Sequence, residues 1–572
     1  MANGFGSMYI GASGLQGAQN ALNTTANNLA NVGTEGYVRQ QVRFTDKRYD
    51  MIKNPTKVTN AHQSGLGVSI GDVVHARDVF LDKSYRLEKG REAFYETCYE
   101  TTSYVEDLLQ ELDGEQFKQS VEDIWVAFQE LSKTPADSVT QNLVIQKAEL
   151  LLSRSENLYV DLQGYQANID AQIVDNITRV NEIGNRIHEL SMEIQKVESN
   201  NMETAMTCRD ERDHLVDELA GLCKIEVRED DSGFMFISIE GVEFVNEQQC
   251  FEMGTVVDKI TGFSTPIWPH LSNDRTGEYT KIFRTEGEIS SEMNTDIGEI
   301  KAQLLMRGDE YGVYSDLLTP EAYALIEDKL LIETEAQVDL LLHEIVTTMN
   351  NIFCPNTEIT VQNDVIDPVT GEAIYKAGDK IKVLDEANSP VGSDGKLPPR
   401  ELFERMGTER YTVMNIDGKD YYVYNEENPN DPNTLYRVGN LRVNDDLTKQ
   451  VTLLPAFTQN GAVDYALGAK LSDAWNVQGM HINPGDQYPC TFQVFYDKMI
   501  GKLGTDGSIY KSSMDTMTNT VTSIDNSRQQ IMGVSSDEEL TKLIKYQSAY
   551  NASSRFMTVI SQMTELIVTG LI

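Results

Sequence analysis

The side chains able to do chemistry in this chain are plentiful but scattered. Six cysteines, Cys98, Cys208, Cys223, Cys250, Cys354 and Cys490, include no CxxC pair, and none has a second Cys or His at the short spacing a zinc site requires. In a chain of 572 residues such scatter implies buried free thiols and not a disulfide framework. His343 and Glu344 supply the start of a metalloprotease helix, without the second histidine one turn on. Gly65, Gly67 and Gly71 are wrongly spaced for a dinucleotide fingerprint, and no GxxxxGK[ST] loop or GxSxG elbow occurs. Asp and Glu are so numerous that chance carboxylate pairs are certain, so none marks a general acid and base. The expectation is a protein with no catalytic residue, no cofactor and no metal.

Charge narrows the partners. Lys and Arg total 48 against 89 Asp and Glu, a formal net charge of −41. The summed field repels phosphate backbones and anionic headgroups, which argues against nucleic acid and membrane as partners. A length of 572 residues gives, at about 150 residues per domain, roughly four domains.

Against this acidity stands a segment with no charge. Met1 to Thr34 contains no Asp, Glu, Lys or Arg. The first positive charge is Arg39, so a basic secretory n-region is missing, and neither end supplies about 20 consecutive apolar residues for a membrane span. Within the segment Leu15, Ala18, Leu22, Thr25, Leu29 and Val32 recur at alternating steps of three and four, the spacing of one helical seam. At the opposite end Leu543, Tyr546, Tyr550, Met557, Ile560 and Ile567 form a second stripe. It is thickened by Ala549, Ala552, Phe556, Val559, Met563 and Leu566. A helix bare of charge on every side meets neighbours on several sides, so the two termini are expected to pair and to polymerise.

The residue strings at these ends are themselves distinctive. Ala26 to Gln40 reads ANNLANVGTEGYVRQ after SGL at Ser13 to Leu15, and this resembles the N-terminal signature of the bacterial flagellar axial family of rod, hook and hook-associated subunits. Asp537 to Ile567 is similar to the C-terminal stretch of the hook-associated members, above all in KYQSAYNAS at Lys545 to Ser553. Two further strings, Gly65 to Arg86 and RDERDHLVDELAGL at Arg209 to Leu222, resemble segments of the same members. The resemblance covers about the first 250 residues and the last 90.

It implies a structural subunit of the flagellum that joins hook to filament as a ring. Such a subunit is exported through the flagellum's own type III apparatus without a cleaved signal peptide. Its partners would be further copies of itself, hook protein, a second hook-associated junction protein and an export chaperone. Tyr37, Arg39 and Gln40 match the signature and join Leu15, Ala18, Leu22, Leu29 and Val32 as candidate interface residues. Leu543, Tyr546, Tyr550, Phe556, Val559, Met563 and Leu566 answer them from the other end. A hook or filament subunit, or an axial protein with an enzymatic surface insertion, are the alternatives.

The elements that hold these ends in place are legible in part. Helical pattern resumes near Phe80 after a hinge at Gly33 and Gly36. Val121, Ile124, Phe128 and Leu131 predict a helix that stops before Thr134 and Pro135. Val180, Ile183, Ile187, Leu190, Ile194 and Val197, extended backward by Ile169, Ile173 and Ile177, predict a long coiled-coil or bundle helix. After Leu222 the period becomes two. Ile225 and Val227, then Phe234, Phe236 and Ser238, flank a DDSG turn and predict a hairpin. Val338 to Ile352 returns to helix, and Tyr411 to Tyr424 predicts a second hairpin about Asp417 and Gly418.

The expected architecture is an elongated multidomain α+β protein, with a coiled-coil-like helical core formed by both termini and inserted β-rich outer domains. The expected division is a terminal polymerisation domain of 1–40 and 534–572, and a helical bundle of 41–222, 296–353 and 484–533. A β-rich insertion of 223–295 and a variable outer insertion of 354–483 complete it.

Overall fold

The computed structural model describes residues 2–34, 36–46, 67–110, 117–199, 204–273, 275–366 and 373–570. Gly65 and the rest of the stretch before Gly67 lie outside the described residues. The chain opens with helix α1 (Ala2–Ala30) and an antiparallel hairpin, β1 (Gln40–Asp46) and β2 (Val68–His75). Helices α2 (Val79–Gln110), α3 (Phe117–Lys133), α4 (Ser138–Glu198) and α5 (Met206–Leu222) follow. At 61 residues α4 is about 90 Å long, twice what its isoleucine stripe alone predicts. The Asp137 carboxylate caps it by accepting from the Val139 N–H just past Pro135, and Val144, Ala148, Leu151 and Leu162 carry the buried face back to that cap.

Strand patterns then take over. β3 (Ile225–Glu229), β4 (Met235–Ile239) and β5 (Val242–Val245) form a sheet in that order, and β6 (Gly254–Val257) pairs with β7 (Ser264–Ile267). The chain returns to helix in α6 (Glu299–Arg307), the single turn α7 (Pro320–Tyr323) and α8 (Leu330–Phe353).

Past Pro355, β8 (Asn356–Thr360), β9 (Val365–Ile366), β10 (Ala373–Tyr375), β11 (Lys380–Leu384), β12 (Phe403–Arg405), β13 (Tyr411–Ile416), β14 (Lys419–Tyr424) and β15 (Leu441–Val443) build three small sheets. The β13–β14 turn has both central residues at positive φ, Asp417 at 52° and Gly418 at 84°, the geometry whose twist suits a two-residue hairpin. Helices α9 (Asp445–Lys449) and α10 (Tyr465–Ala474) lead to α11 (Phe492–Met532) and α12 (Ser536–Thr569).

One contiguous apolar core unites α2 to α6, α8, α10 and α11 with the β3–β5 sheet. Leu402, Phe403, Tyr436, Leu467 and Trp475, from the second strand-rich stretch, belong to that same core. A separate small core of Val361, Ile381, Val383, Ile416 and Val423 lies between the strands of the β13–β14–β11–β8 sheet. Among the described residues neither α1 nor α12 contributes to either cluster.

Candidate assembly interface

The two terminal helices run antiparallel against each other. A Cβ placed on Gly11 would stand 2.7 Å from Met557 Sδ, and one on Gly14 would stand 3.0 Å from Ser553 Oγ. Further along, Asn28 Nδ2 donates to Glu539 Oε2 at 3.1 Å. Gly11, Gly14, Ala18, Ala21, Thr25 and Asn28 alternate steps of three and four, so they share one face, and the last four of them are buried. At Gly11 and Gly14 the missing Cβ leaves room for Met557, Phe556 and Ser553 of α12 to lie against the α1 backbone. The opposing face of α12 runs Glu539, Leu543, Tyr546, Tyr550, Ser553, Met557 and Ile560 at the same alternation, and each of these is at least half-buried.

The expected leucine line stands one position round. Leu15, Leu22 and Leu29 are half-buried on the flank of α1, while Ala18 and Thr25 belong to both lines. Helix α1 stops at Ala30, so Val32 lies in the turn beyond it and is 45% exposed. Leu543, Tyr546 and Tyr550 face the pair. Val559, Met563 and Leu566 lie on the outer side of α12, from 47% to 72% exposed, with Ile567 exposed beside them; Phe556, 42% exposed, reaches back toward α1, its Cδ1 3.0 Å from where a Cβ on Gly11 would stand.

The signature around Tyr37 has a clear physical reading. Asn28, 1% exposed, acts as its hub: the Asn28 amide donates to the Gln40 carbonyl at 2.9 Å, and its Oδ1 accepts from the Gln40 N–H at 3.0 Å. The same oxygen accepts from the Tyr37 hydroxyl at 2.8 Å. Burial, reinforced by the charges of Asp210 and Glu539, pushes the Tyr37 phenol up to about 12, so it stays a donor. The Arg39 N–H donates to the Met532 carbonyl at 2.8 Å and its guanidinium meets Glu538 at 2.9 Å. One polar side chain in a small-residue seam thus sets the register of α1, α12 and the strand between them. Ser535 and the acidic first turn Asp537, Glu538 and Glu539 start α12 where this hub needs a carboxylate.

Beneath the pair, a closed ring of alternating charges fastens it to the bundle. Arg528 Nε contacts Asp82 at 2.8 Å, Arg77 contacts Asp82 at 3.3 Å, and Arg77 also pairs with Asp213. Arg86 then contacts Asp213 at 3.4 Å and Asp217 at 2.6 Å, and Asp217 returns to Arg528 at 2.7 Å. The Arg528 guanidinium also lies 4.0 Å over the Tyr85 ring. These six residues come from the strand exit, α2, α5 and α11, and five of them sit in the two internal strings that carried the family resemblance. Spacing along either string could not have shown that they meet.

Beside the ring His75 Nε2 stands 3.2 Å from Asp210 Oδ1, while Asp210 Oδ2 accepts weakly from the Val38 N–H at 3.4 Å. Burial pulls the His75 imidazole down to about 4, helped by Arg77 and Arg209. Burial raises the Asp210 carboxyl to about 7. His343 is engaged elsewhere: its ring stacks on Tyr314 and its Nε2 meets Glu427 at 3.0 Å, tying α8 to the second strand-rich stretch. All six cysteines are free; Cys208 and Cys250 are only part-buried, the other four buried. Among the described residues no group of three His, Cys, Asp or Glu is arranged to hold a metal ion, and no helix is long and apolar enough to cross a membrane.

Comparisons with known proteins agree with this architecture region by region. Residues 102–354 match the family model of the flagellar hook-associated protein FlgK helical domain. Residues 8–37 match the flagella basal body rod protein model, and residues 526–569 match the C-terminal model of the flagellar basal body rod FlgEFG proteins. The flagellar hook-associated protein 1 of Bacillus subtilis is 24% identical over 97% of this chain and 96% of its own length. That of Escherichia coli is 23% identical over 95% and 96%. The flagellar hook protein FlgE of Borreliella burgdorferi is 34% identical, over 16% of this chain and 25% of its own length. The solved flagellar hook junction protein FlgK of Burkholderia pseudomallei aligns with a TM-score of 0.46 at 13% identity, over 79% of this chain and 99% of that one. The rod-type models fall on the terminal pair and the hook-associated model on the bundle between, and the full-length relatives share one name: this chain is a structural component of the bacterial flagellum, similar over nearly its whole length to flagellar hook-associated protein 1.

Proposed function

We propose that the protein is the junction subunit that joins the flagellar hook to the filament, assembling as a ring through its paired termini. The observation that carries this reading is the unfinished terminal pair. Its inner seam is closed by small residues, yet Phe556, Val559, Met563 and Leu566 remain exposed on α12 and the leucines of α1 are only half covered. An apolar outer face of this extent on α12, beside the uncharged helix α1, calls for neighbouring subunits. The interface is then formed by Leu15, Leu22, Leu29 and Val32 together with the outer residues of α12, while Ala18, Tyr37, Arg39, Gln40, Leu543, Tyr546 and Tyr550 shape the pair that presents them.

The partners are further copies of the chain, hook protein below, a second hook-associated protein above, and an export chaperone before assembly. Export runs through the flagellum's own apparatus without a cleaved signal peptide, and the role is mechanical, not catalytic. The division of labour follows the chain: 1–40 with 534–572 polymerises, 41–222, 296–353 and 484–533 form the supporting bundle, and 223–295 and 354–483 are insertions on its outside. Immunogold electron microscopy of intact flagella with antibody to this chain tests the reading. Label confined to the hook–filament boundary supports it; label along the hook shaft or the filament refutes it.

A further inference from the structure

The β3–β4–β5 sheet leaves β3 as an open edge, and a groove of about 420 Å3 runs beside it. The opposite wall is α2, through Lys83 and Leu87, and the floor includes Ile297. Ile225 and Val227 of β3 line the groove and are half-buried, and Leu87 is 38% exposed. Among the described residues no backbone hydrogen bond reaches β3 from the side away from β4. An exposed strand edge is ordinarily a hazard that proteins cover or blunt. Here it borders an apolar trough.

The charge of the trough is opposite to that of the molecule. Three cations, Lys83, Arg86 and Lys224, line it against the single carboxylate of Glu226, in a chain of formal net charge −41. Arg86 is committed to Asp213 and Asp217. Lys83 and Lys224 form no ion pair among the described residues; the Lys224 ammonium donates to the Asn294 carbonyl at 3.1 Å, a neutral partner. We propose that this groove binds an extended acidic segment of a partner protein, which adds to the edge of β3 as a fourth strand while its carboxylates meet Lys83 and Lys224.

Main-chain bonds to the open edge supply affinity, alternate apolar side chains enter the trough beside Ile225 and Val227, and the lysines select acidic sequence. Because α2 walls the far side, the trough admits a lone extended chain and excludes the edge of another sheet with its own layer behind it. Pairing of β3 with β3 of a second copy is therefore the competing arrangement that the test must separate.

The test uses the full chain and a fluorescein-labelled eight-residue peptide alternating valine with aspartate and glutamate, with the lysine counterpart as control. Fluorescence anisotropy is expected to show saturable binding of the acidic peptide only, and hydrogen exchange is expected to slow at Ile225–Glu229 when it is added. Lys83→Glu with Lys224→Glu is expected to weaken binding by about tenfold or more. Leu87→Ser, which leaves each cation in place, is expected to weaken it severalfold. Circular dichroism melts matching the parent chain establish that both variants are folded. The proposal is overturned by absence of saturable binding up to about 1 mM peptide, by equal affinity for the acidic and basic peptides, or by exchange protection elsewhere than β3. A concentration-dependent dimer in sedimentation that Lys224→Glu abolishes also overturns it, in favour of self-pairing.

Discussion

The terminal helix pair and the charged ring beneath it are neighbours built on opposite principles. In the pair, α12 buries a single residue fully, Glu539, and the close approach of the helices depends on Gly11 and Gly14 offering nothing to collide with. In the ring, three arginines and three aspartates are sheltered to between 4% and 18% exposure and each is paired twice. Buried ion pairs seldom add net stability over apolar packing, but losing one partner strands the others. The ring therefore holds the neck in one arrangement inside a single subunit, whereas the pair leaves apolar surface exposed. A rigid stem carrying an incomplete tip suits a subunit that must stay soluble alone and close tightly in a lattice.

The comparison breaks first at Arg528. Arg528→Ala leaves Asp82 to Arg77 and Asp217 to Arg86, so that three sheltered aspartates share two arginines, and is expected to cost about 3 kcal/mol of monomer stability. Urea titration followed by circular dichroism measures it; a cost under about 1 kcal/mol would show that the ring is solvated and not a fastening.

A second break uses pH. The folded His75 stays neutral down to about 4 while the unfolded side chain takes up its proton near 6.5, so this group alone makes stability rise with pH across that window. The folded Asp210 holds its proton up to about 7, whereas the unfolded carboxyl loses it near 3.8, so its contribution falls over nearly the same range. Folded and unfolded chains each carry about one proton on these two groups, and the slopes offset. Asp210→Asn removes the falling slope. Its stability is expected to climb by roughly 2–3 kcal/mol more than wild type between pH 4 and 6.5. Parallel profiles for the two proteins would mean that burial does not raise the Asp210 carboxyl in the folded chain.

Within the pair, Asn28→Leu should act more gently and more locally. It strands the Gln40 N–H and removes the donor to Glu539 Oε2, leaving that carboxylate to Lys542 alone, an expected cost of about 1–3 kcal/mol. Native-state hydrogen exchange should place that loss in α1 and α12 and leave α4 and α8 unchanged. Loss spread evenly over the bundle would mean that tip and stem unfold as one unit.

How far the sequence revealed these regions depends on the kind of interaction. Periodicity located the hairpin at Ile225, the hairpin at Asp417 and the helix ending at Thr134, because each is decided by local backbone preference and a two- or 3.6-residue repeat. It also showed that the termini carry seams. It did not show which of two equally regular lines on α1 faces α12. Hydrophobicity favours the leucines, whereas the closeness of the helices favours Gly11, Gly14, Ala18 and Ala21, and only the partner's position decides. Asn28 was hidden for the same reason: an Asn in an uncharged helix looks like solvent-facing polarity until a strand returns beneath it. The ring of Arg77, Asp82, Arg86, Asp213, Asp217 and Arg528 joins residues up to 451 positions apart, and no short-range pattern records such contacts. The carboxylates were too numerous to single out. Yet the two strings holding five of the six were distinctive as strings, and a conspicuous, highly charged string without catalytic spacing is the one signal that pointed there.

The smallest expected effect on the monomer is also the most decisive for function. Met563 is 55% exposed on the outer side of α12, away from the face that meets Gly11 and Gly14. Met563→Asp removes no buried contact within the subunit, so its melting curve should stay within about 0.5 kcal/mol of wild type. Leu22→Asp, on the half-covered flank of α1, should cost somewhat more because part of that side chain is sheltered. In an assembly each substitution introduces a charge into every subunit contact, where a buried unpaired carboxylate costs far more than the apolar burial it replaces. Cells producing either variant are expected to export it into the medium and to shed filament subunits, with bare hooks under the electron microscope. Normal filaments on Met563→Asp cells would mean that the outer face of α12 is not an interface. A large drop in monomer stability from the same change would mean that the face is covered within the subunit. Either result would erase the contrast between a finished stem and an unfinished tip.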